Sequence, residues 1–460
     1  MRILVWGFVL SIALASVANA AVLGTGDSIA IAGGAGVDLL VWRDGTTGSI
    51  KAMRFGANGA ALDASGFDLA LPAGGNPSVA WDGSGFLVAT TGSNTLLARI
   101  PITGGAAFTL SYASSPQILW SAVASKKDGT SLVVWYAGTS TYATAITAHG
   151  EATLPRLLEW AWAWERGRLV RDPSSYLVAW MTQCYFPRCP PETEARLIRL
   201  DDLGTEIAPL TTFATGIGNL DLVSWSLAEG SRALLTGSSE GTPAVTRLFS
   251  IAPGALGARG ATIRFPEPLS AQSTPSGQAL IGLGARIDLS ETGAPLTVNW
   301  APVPDGQRLV GILPSSGARV LAPVSGAGAI SVEAPASDVS EVGLAPVFVS
   351  PDTVWLKVDN RGPDAARTID VWLTGAVHSI SSLVNGTITR HGALSRIRFN
   401  PTLKQGAGFE IAIYFEQPID AHAFEAWALT LGTDRDATNN YVTTRADEPE
   451  TPRRRRTVRR

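Results

Sequence analysis

The sequence predicts an all-β protein in which an array of repeated four-stranded units is followed by a two-layered sandwich. Three observations carry that expectation. The chain has 48 glycines and 28 prolines among 460 residues, while charged residues make up only 16%. Such a balance suits short strands and tight turns rather than helices rich in Glu and Lys. An apolar strand cluster recurs along roughly the first 300 residues. In the last quarter, strict alternation of apolar and polar residues takes over.

The N-terminus comes first. Arg2, the apolar run Ile3–Ala15 and the small residues Ala18 and Ala20 form a secretory signal over residues 1–20, with cleavage expected after Ala20. A membrane anchor would need roughly 20 apolar residues, more than this run offers. No later segment is apolar for long enough either. The mature chain is therefore expected to be secreted or placed in the envelope, periplasm or outer surface, and not to be transmembrane.

The repeat follows. A short strand, a turn and a second strand ending in an apolar cluster recur at Leu39–Trp42, Leu87–Thr90, Leu132–Trp135, Leu177–Trp180 and Ala233–Thr236. The clusters end at residues 42, 90, 135, 180 and 236, a period of about 45 to 56 residues. Asp82-Gly83, Asp128-Gly129, Asp172-Pro173 and Glu229-Gly230 occupy the hairpin turns, where Gly tolerates positive φ. A third, alternating strand closes on Gly59, Gly104, Gly150, Gly204 or Gly254, and a less regular fourth follows. Four strands at this period are the signature of a propeller blade, with a series of sandwiches as the structural alternative. A sixth copy at Ala279–Gly282 leads to an expectation of six blades, with five or seven as alternatives, over residues 21–300; 301–335 reads as a connecting β segment, or as the stretch that closes the propeller. The clusters, turns and third strands from Ile29 to about Arg264 resemble the propeller-type repeats of large secreted bacterial proteins. That resemblance implies a recognition platform.

From residue 336 the pattern sharpens. Val354–Val358 and Ile369–Leu373 alternate, and Phe409, Ile411, Ile413 and Phe415 share one strand face, which predicts a sandwich over 336–446. The segments Val358–Ala365 and Asp434–Tyr441 resemble the two ends of the conserved-repeat, CARDB-type immunoglobulin-like domains of bacterial surface proteins. The resemblance implies a spacer or adhesion-related module. Read as chemistry, the same Asn, Asp and Gly residues are turn formers that bond their own backbone.

Functional signals are sparse. Cys184 and Cys189 are the only cysteines, and in an oxidising compartment they are expected to form a local disulfide rather than a metal site. Trp160, Trp162 and Trp164 alternate, so they face one side of a strand, for sugar stacking or for packing between blades. Gly237–Gly241 fits the nucleophile pattern around Ser239 but sits between strands, where no elbow forms. His149, His378, His391 and His422 have no metal-ligand spacing, and no cofactor is expected. Asp27, Asp38, Asp44, Asp201 and Asp202 are acids that could meet across a propeller. Asn385-Gly386-Thr387 reads as a hairpin turn rather than a glycosylation site.

The six arginines among the last eight residues, Arg453, Arg454, Arg455, Arg456, Arg459 and Arg460, carry +6 of a total of −3, so the remainder sums to −9. A nucleic-acid role for the folded part is thereby disfavoured. The 447–460 tail is expected to be disordered and suited to an anionic envelope component. The sequence therefore predicts a non-enzymatic binding, adhesion or display protein for a glycan or protein at the cell surface. The alternative is an extracellular polysaccharide-acting hydrolase or lyase using carboxylates at the propeller funnel.

Overall fold

The computed structural model describes residues 21–444 except 72, 74, 92–94, 105–107, 114–117, 161–166, 173–174, 183–193, 216–218, 228–229, 239–243, 252–257, 268, 275–276, 291–294 and 336–337; over most of 209–262 it describes the backbone alone. The signal at 1–20, Cys184 and Cys189, Trp162 and Trp164, Ser239 and the arginine tail lie outside the described residues. The described chain is strand, apart from one 3-10 turn at Ala437–Asn439. Among these residues no helix is long and apolar enough to cross a membrane.

Residues 21–333 form seven successive groups of antiparallel strands in a propeller-like arrangement; the first and seventh groups share the strand Ala21–Gly34 and are hydrogen-bonded into one seven-stranded sheet, and each group is called a sheet below. The predicted first, second and third strands fall where the repeat placed them, for example Ile118–Ser125, Ser131–Ala137 and Ser140–Ile146 in the third sheet. Alternate residues of the second strands Val37–Asp44 and Ser131–Ala137 pack toward opposite neighbours, which explains why these strands read as unbroken apolar runs. Leu39 and Val41 join Phe86 and Val88 of the second sheet, whereas Leu40 and Trp42 join Val320, Ile330 and Val332 of the seventh. Likewise Leu132 and Val134 meet Val178 and Trp180, while Val133 and Trp135 meet Leu87 and Ala89.

The strand groups number seven, the upper of the expected alternatives, and residues 301–335 take the propeller-closing alternative rather than the connecting one. They supply the strands Gln307–Ile312, Arg319–Pro323 and Gly328–Glu333. The fourth strand of this seventh sheet comes from the other end of the chain. The strand Ala21–Gly34 pairs through Ala21–Gly26 with Gly328–Val332, then through its second half with Val37–Asp44. It bends between the two sheets at a bulge between Asp27 and Ala30, where Ser28 has φ 49°. Asp38 adds a polar clasp: its carboxylate accepts Ser315 N–H at 2.9 Å and Ser315 O–H at 2.8 Å.

Residues 342–443 form two further sheets that face each other. One orders Val342–Val349, Thr353–Asn360, Gly408–Phe415 and Val377–Ser382; the other orders Gly386–His391, Leu394–Phe399, Ile369–Thr374, Glu425–Thr430 and Tyr441–Thr443. Between them lie Val354, Leu356, Val358, Ile369, Val371, Ile397, Phe399, Phe409, Ile411 and Ile413. Trp355 points the other way and is 41% exposed, so it is not part of this core. The turn after Val358 is held by Asn360, whose Nδ2 donates to Asp364 O and Leu403 O, both at 2.8 Å.

The sandwich is fused to the propeller rather than strung from it. Trp372, Leu394, Trp427 and Leu429 share an apolar cluster with Phe265, Leu280, Ile287, Val298 and Trp300. Trp427 Nε1 donates to Arg264 O at 2.9 Å, and Arg264 lies 3.1 Å from the Glu425 carboxylate. The strand Gly432–Asp434 extends the sixth sheet by pairing with Val298–Trp300. Asp434 at this junction is buried, and desolvation pushes its carboxyl from 3.8 to about 6 even though Val342 and Asp436 N–H groups and Asn440 stabilise the charge.

Two outcomes follow from these contacts. Deleting Ala21–Gly26 strips one strand from the seventh sheet and uncovers Ile330 and Val332; urea unfolding should show a loss of about 3 kcal/mol or more, and an unchanged midpoint would contradict the closure. Asp434 has a folded pKa above its unfolded value, so its contribution is full below about pH 4 and is lost as pH rises through about 6. Relative to Asp434→Asn, the wild type should lose about 3 kcal/mol of stability between pH 4 and 7. Parallel pH profiles for the two proteins would refute it.

Candidate functional site

The first strands of the seven sheets run side by side around a central channel of about 1660 Å³. Its described wall mixes small residues with aliphatic ones such as Ile29, Ile31, Val79, Leu169 and Leu283. Ala30, Ala32, Ala80, Ala122, Ala124 and Ala271 alternate with Ser28, Ser78, Ser121, Ser125 and Ser270. Two indoles, Trp81 and Trp120, interrupt this lining. Each lies against a glycine of the adjacent sheet: a Cβ at Gly34 would fall 2.2 Å from Trp81 Cδ2, and one at Gly167 would fall 2.3 Å from Trp120 Cη2. The hydroxyls of Ser78 and Ser121 and the Trp120 Nε1–H are buried without a protein hydrogen-bond partner among the described residues.

Charge enters the channel at few points. Asp27 and Glu267 are its carboxylates among the described lining residues, and Arg168, Arg171 and Arg308 its cations. Asp27 is gripped by Arg43, with Nε and Nη2 donating to its two oxygens at 2.7 and 2.6 Å. Glu267 opens onto the channel, yet desolvation by the walls raises its carboxyl above the usual carboxylate range more than the nearby Arg308 guanidinium lowers it. Arg171 stacks over Tyr176 at 4.8 Å and lies 3.7 Å from Asp202.

The other acids named from the sequence do not converge. Asp38 serves the clasp to Ser315, and Asp44 caps a turn by accepting Thr46 N–H at 3.0 Å and Thr47 N–H at 2.8 Å. Asp201 does the same for Leu203 and Thr205, while Asp202 pairs with Lys126. Among the described residues no group of three or more His, Cys, Asp or Glu side chains is placed to hold a metal ion. Trp160 ends the outermost strand of the third sheet, Arg156–Trp160, far from the axis in sheet order. His149 lies in a turn, and His391 packs on the Trp372 ring with centroids 4.8 Å apart. Glu267, missed in the sequence, sits in a Pro-Glu-Pro connection between the fifth and sixth sheets and belongs to no recurring motif.

No protein-family model and no curated protein matches the chain. Among solved structures, it is similar to the Neurospora crassa Pan2 WD40 domain at 13% identity, covering 68% of this chain and 95% of that one with a TM-score of 0.44. It is also similar to a xylan β-1,4-xylosidase from Bacillus halodurans C-125 at 11% identity, covering 93% and 92% with a TM-score of 0.33. An exo-β-1,3-galactanase from Clostridium thermocellum matches at 9% identity over 84% and 96%, with a TM-score of 0.33. With each of these TM-scores below 0.5, the fold stands on the sheet pairing described above and not on these likenesses.

The contact of Trp81 with Gly34 gives a direct check on the channel wall. Gly34→Ala forces the indole off its seat and should destabilise the protein by about 1–3 kcal/mol in urea titration. Its intrinsic tryptophan emission should change in the folded state. A variant with wild-type stability and emission would show that the indole is not packed there.

Proposed function

We propose that this chain is a non-enzymatic recognition protein of the bacterial exterior or envelope, in which the propeller channel binds a glycan or protein at the cell surface. The observation that carries this reading is the channel itself: a wide opening with small and aliphatic walls, the half-buried Trp81 indole and few charges. An indole face can stack on a sugar ring, so Trp81 suits the wall to a ring-bearing ligand. Glycoside hydrolysis ordinarily needs two carboxylates flanking the bond, and here Asp27 is held by Arg43. The sandwich is taken as an immunoglobulin-like, CARDB-type spacer. Export through the signal at 1–20 goes with a Cys184–Cys189 disulfide, and the arginine tail is suited to phosphate groups of the envelope.

One observation favours a second reading, a polysaccharide-acting hydrolase or lyase. Glu267 is a channel carboxyl with a raised pKa, the property of a general acid. The polymers named for two of the similar structures, xylan and β-1,3-galactan, are therefore reasonable first probes.

Affinity electrophoresis of the full mature chain against these polymers and against extracted envelope glycans separates the readings. Retention without release of reducing ends, weakened about tenfold or more by Trp81→Ala, is the expected result. Release of reducing ends that disappears in Glu267→Gln would establish the hydrolase instead. If the wild type is retained by no glycan and captures no surface protein, the recognition reading fails.

A further inference from the structure

A second, smaller cavity of about 150 Å³ lies where the sixth and seventh sheets meet the strand Gly432–Asp434 of the sandwich. Its wall includes Arg286, Asp288, Asn299, Arg319 and Thr433. Arg319 is 5% exposed. Its Nη2 donates to Ala301 O at 2.9 Å, its Nη1 stands 3.6 Å from the Glu333 carboxylate, and its buried Nε–H has no partner. Burial lowers its pKa more than Glu333 raises it, the mark of a cation incompletely matched by its surroundings.

The other polar groups of the same wall are Arg286, Asp288, Asn299 and Thr433. Asp288 is occupied, accepting from Arg286 Nε at 2.8 Å and from Thr297 O–H at 2.9 Å. Thr433 Oγ1 accepts from Asn299 Nδ2 at 2.8 Å, which leaves its own proton to donate. Gly284 and Gly317, at φ +77° and +73°, occupy left-handed backbone positions in the same wall, and a Cβ on Gly284 would fall 2.5 Å from Ala301 O. The space equals the share of about five waters, enough for one small oxyanion and too little for a polymer.

We propose that this cavity binds a small inorganic oxyanion, to which Arg319 Nε–H and the Thr433 hydroxyl donate hydrogen bonds. Charge-assisted bonds of this kind are stronger than neutral ones, and here they replace an unmet buried donor. Because Arg319 belongs to the seventh sheet and Thr433 to the sandwich segment, the anion latches the two together. The site is separate from the channel, so the inference does not depend on the recognition reading.

The test is titration of the full mature chain with sodium sulfate, phosphate and acetate, each against sodium chloride at equal ionic strength. Calorimetry and thermal midpoint are the readouts. One oxyanion should bind at unit stoichiometry and raise the midpoint beyond chloride. Thr433→Val should weaken it about tenfold, and Arg319→Gln should abolish it. Should Arg319→Gln fail to fold, Thr433→Val alone decides. Shifts no larger than with chloride, or identical in wild type and Thr433→Val, would mean that the cavity holds water only and would overturn the proposal.

Discussion

The antiparallel pairing of Ala21–Gly26 with Gly328–Val332 sets the condition for everything inside the ring. A blade whose second strand is apolar on both faces is stable only with a neighbour on each side. Six of the seven contacts between sheets arise from consecutive stretches of chain, but the seventh must join residues about 300 positions apart. Closing so long a loop costs about 5 kcal/mol in chain entropy beyond a constant term. Strand pairing, the apolar cluster around Trp42, Ile330 and Val332, and the Asp38 clasp on Ser315 together offset it. A propeller that ended at Trp300 would leave Leu40 and Trp42 facing water.

Polar groups between sheets play a different part from the apolar clusters. Gln272 bonds both the N–H and the C=O of Ile312, tying the first strand of the sixth sheet to that of the seventh. Ser28 donates to Asn76 at 2.6 Å between the first and second sheets, and Trp180 Nε1 donates to Glu159 at 3.0 Å between the fourth and third. These bonds fix register, since each has a single geometric solution, whereas apolar faces tolerate sliding. The channel inherits that register, because its wall is the row of first strands.

Much of the propeller was legible because its signals are local. Leu132-Val133-Val134-Trp135 and Asp128-Gly129 specify a buried strand and its turn within a dozen residues, and Asp128 does accept the Thr130 N–H at 2.9 Å. The seventh sheet was legible only as one of two alternatives, for the complementary reason. Its three strands are short and drawn from a Gly, Ala, Pro and Val-rich stretch, and the strand that completes it lies at the other end of the sequence. The sandwich core followed from alternation, but which face of Trp355 was inward did not, since alternation fixes the period and leaves the phase to the neighbours. At the channel, acids were visible and their convergence was not: Asp38, Asp44, Asp201 and Asp202 are spent on turns and clasps. Glu267 and Arg319 carry no local pattern at all, and their unusual environments are produced by segments distant in sequence.

The fused junction between sandwich and propeller has a mechanical meaning. Trp372 and Trp427 fill a common core with Trp300, and Gly432–Asp434 is hydrogen-bonded into the sixth sheet, so the sandwich cannot swivel about a hinge. A pull or a torque applied to the chain beyond Thr444 passes through Tyr441–Thr443 and Glu425–Thr430 into the wall of the ring. A load carried by Tyr441–Thr443 would therefore reach the channel wall through a shared core rather than through a hinge.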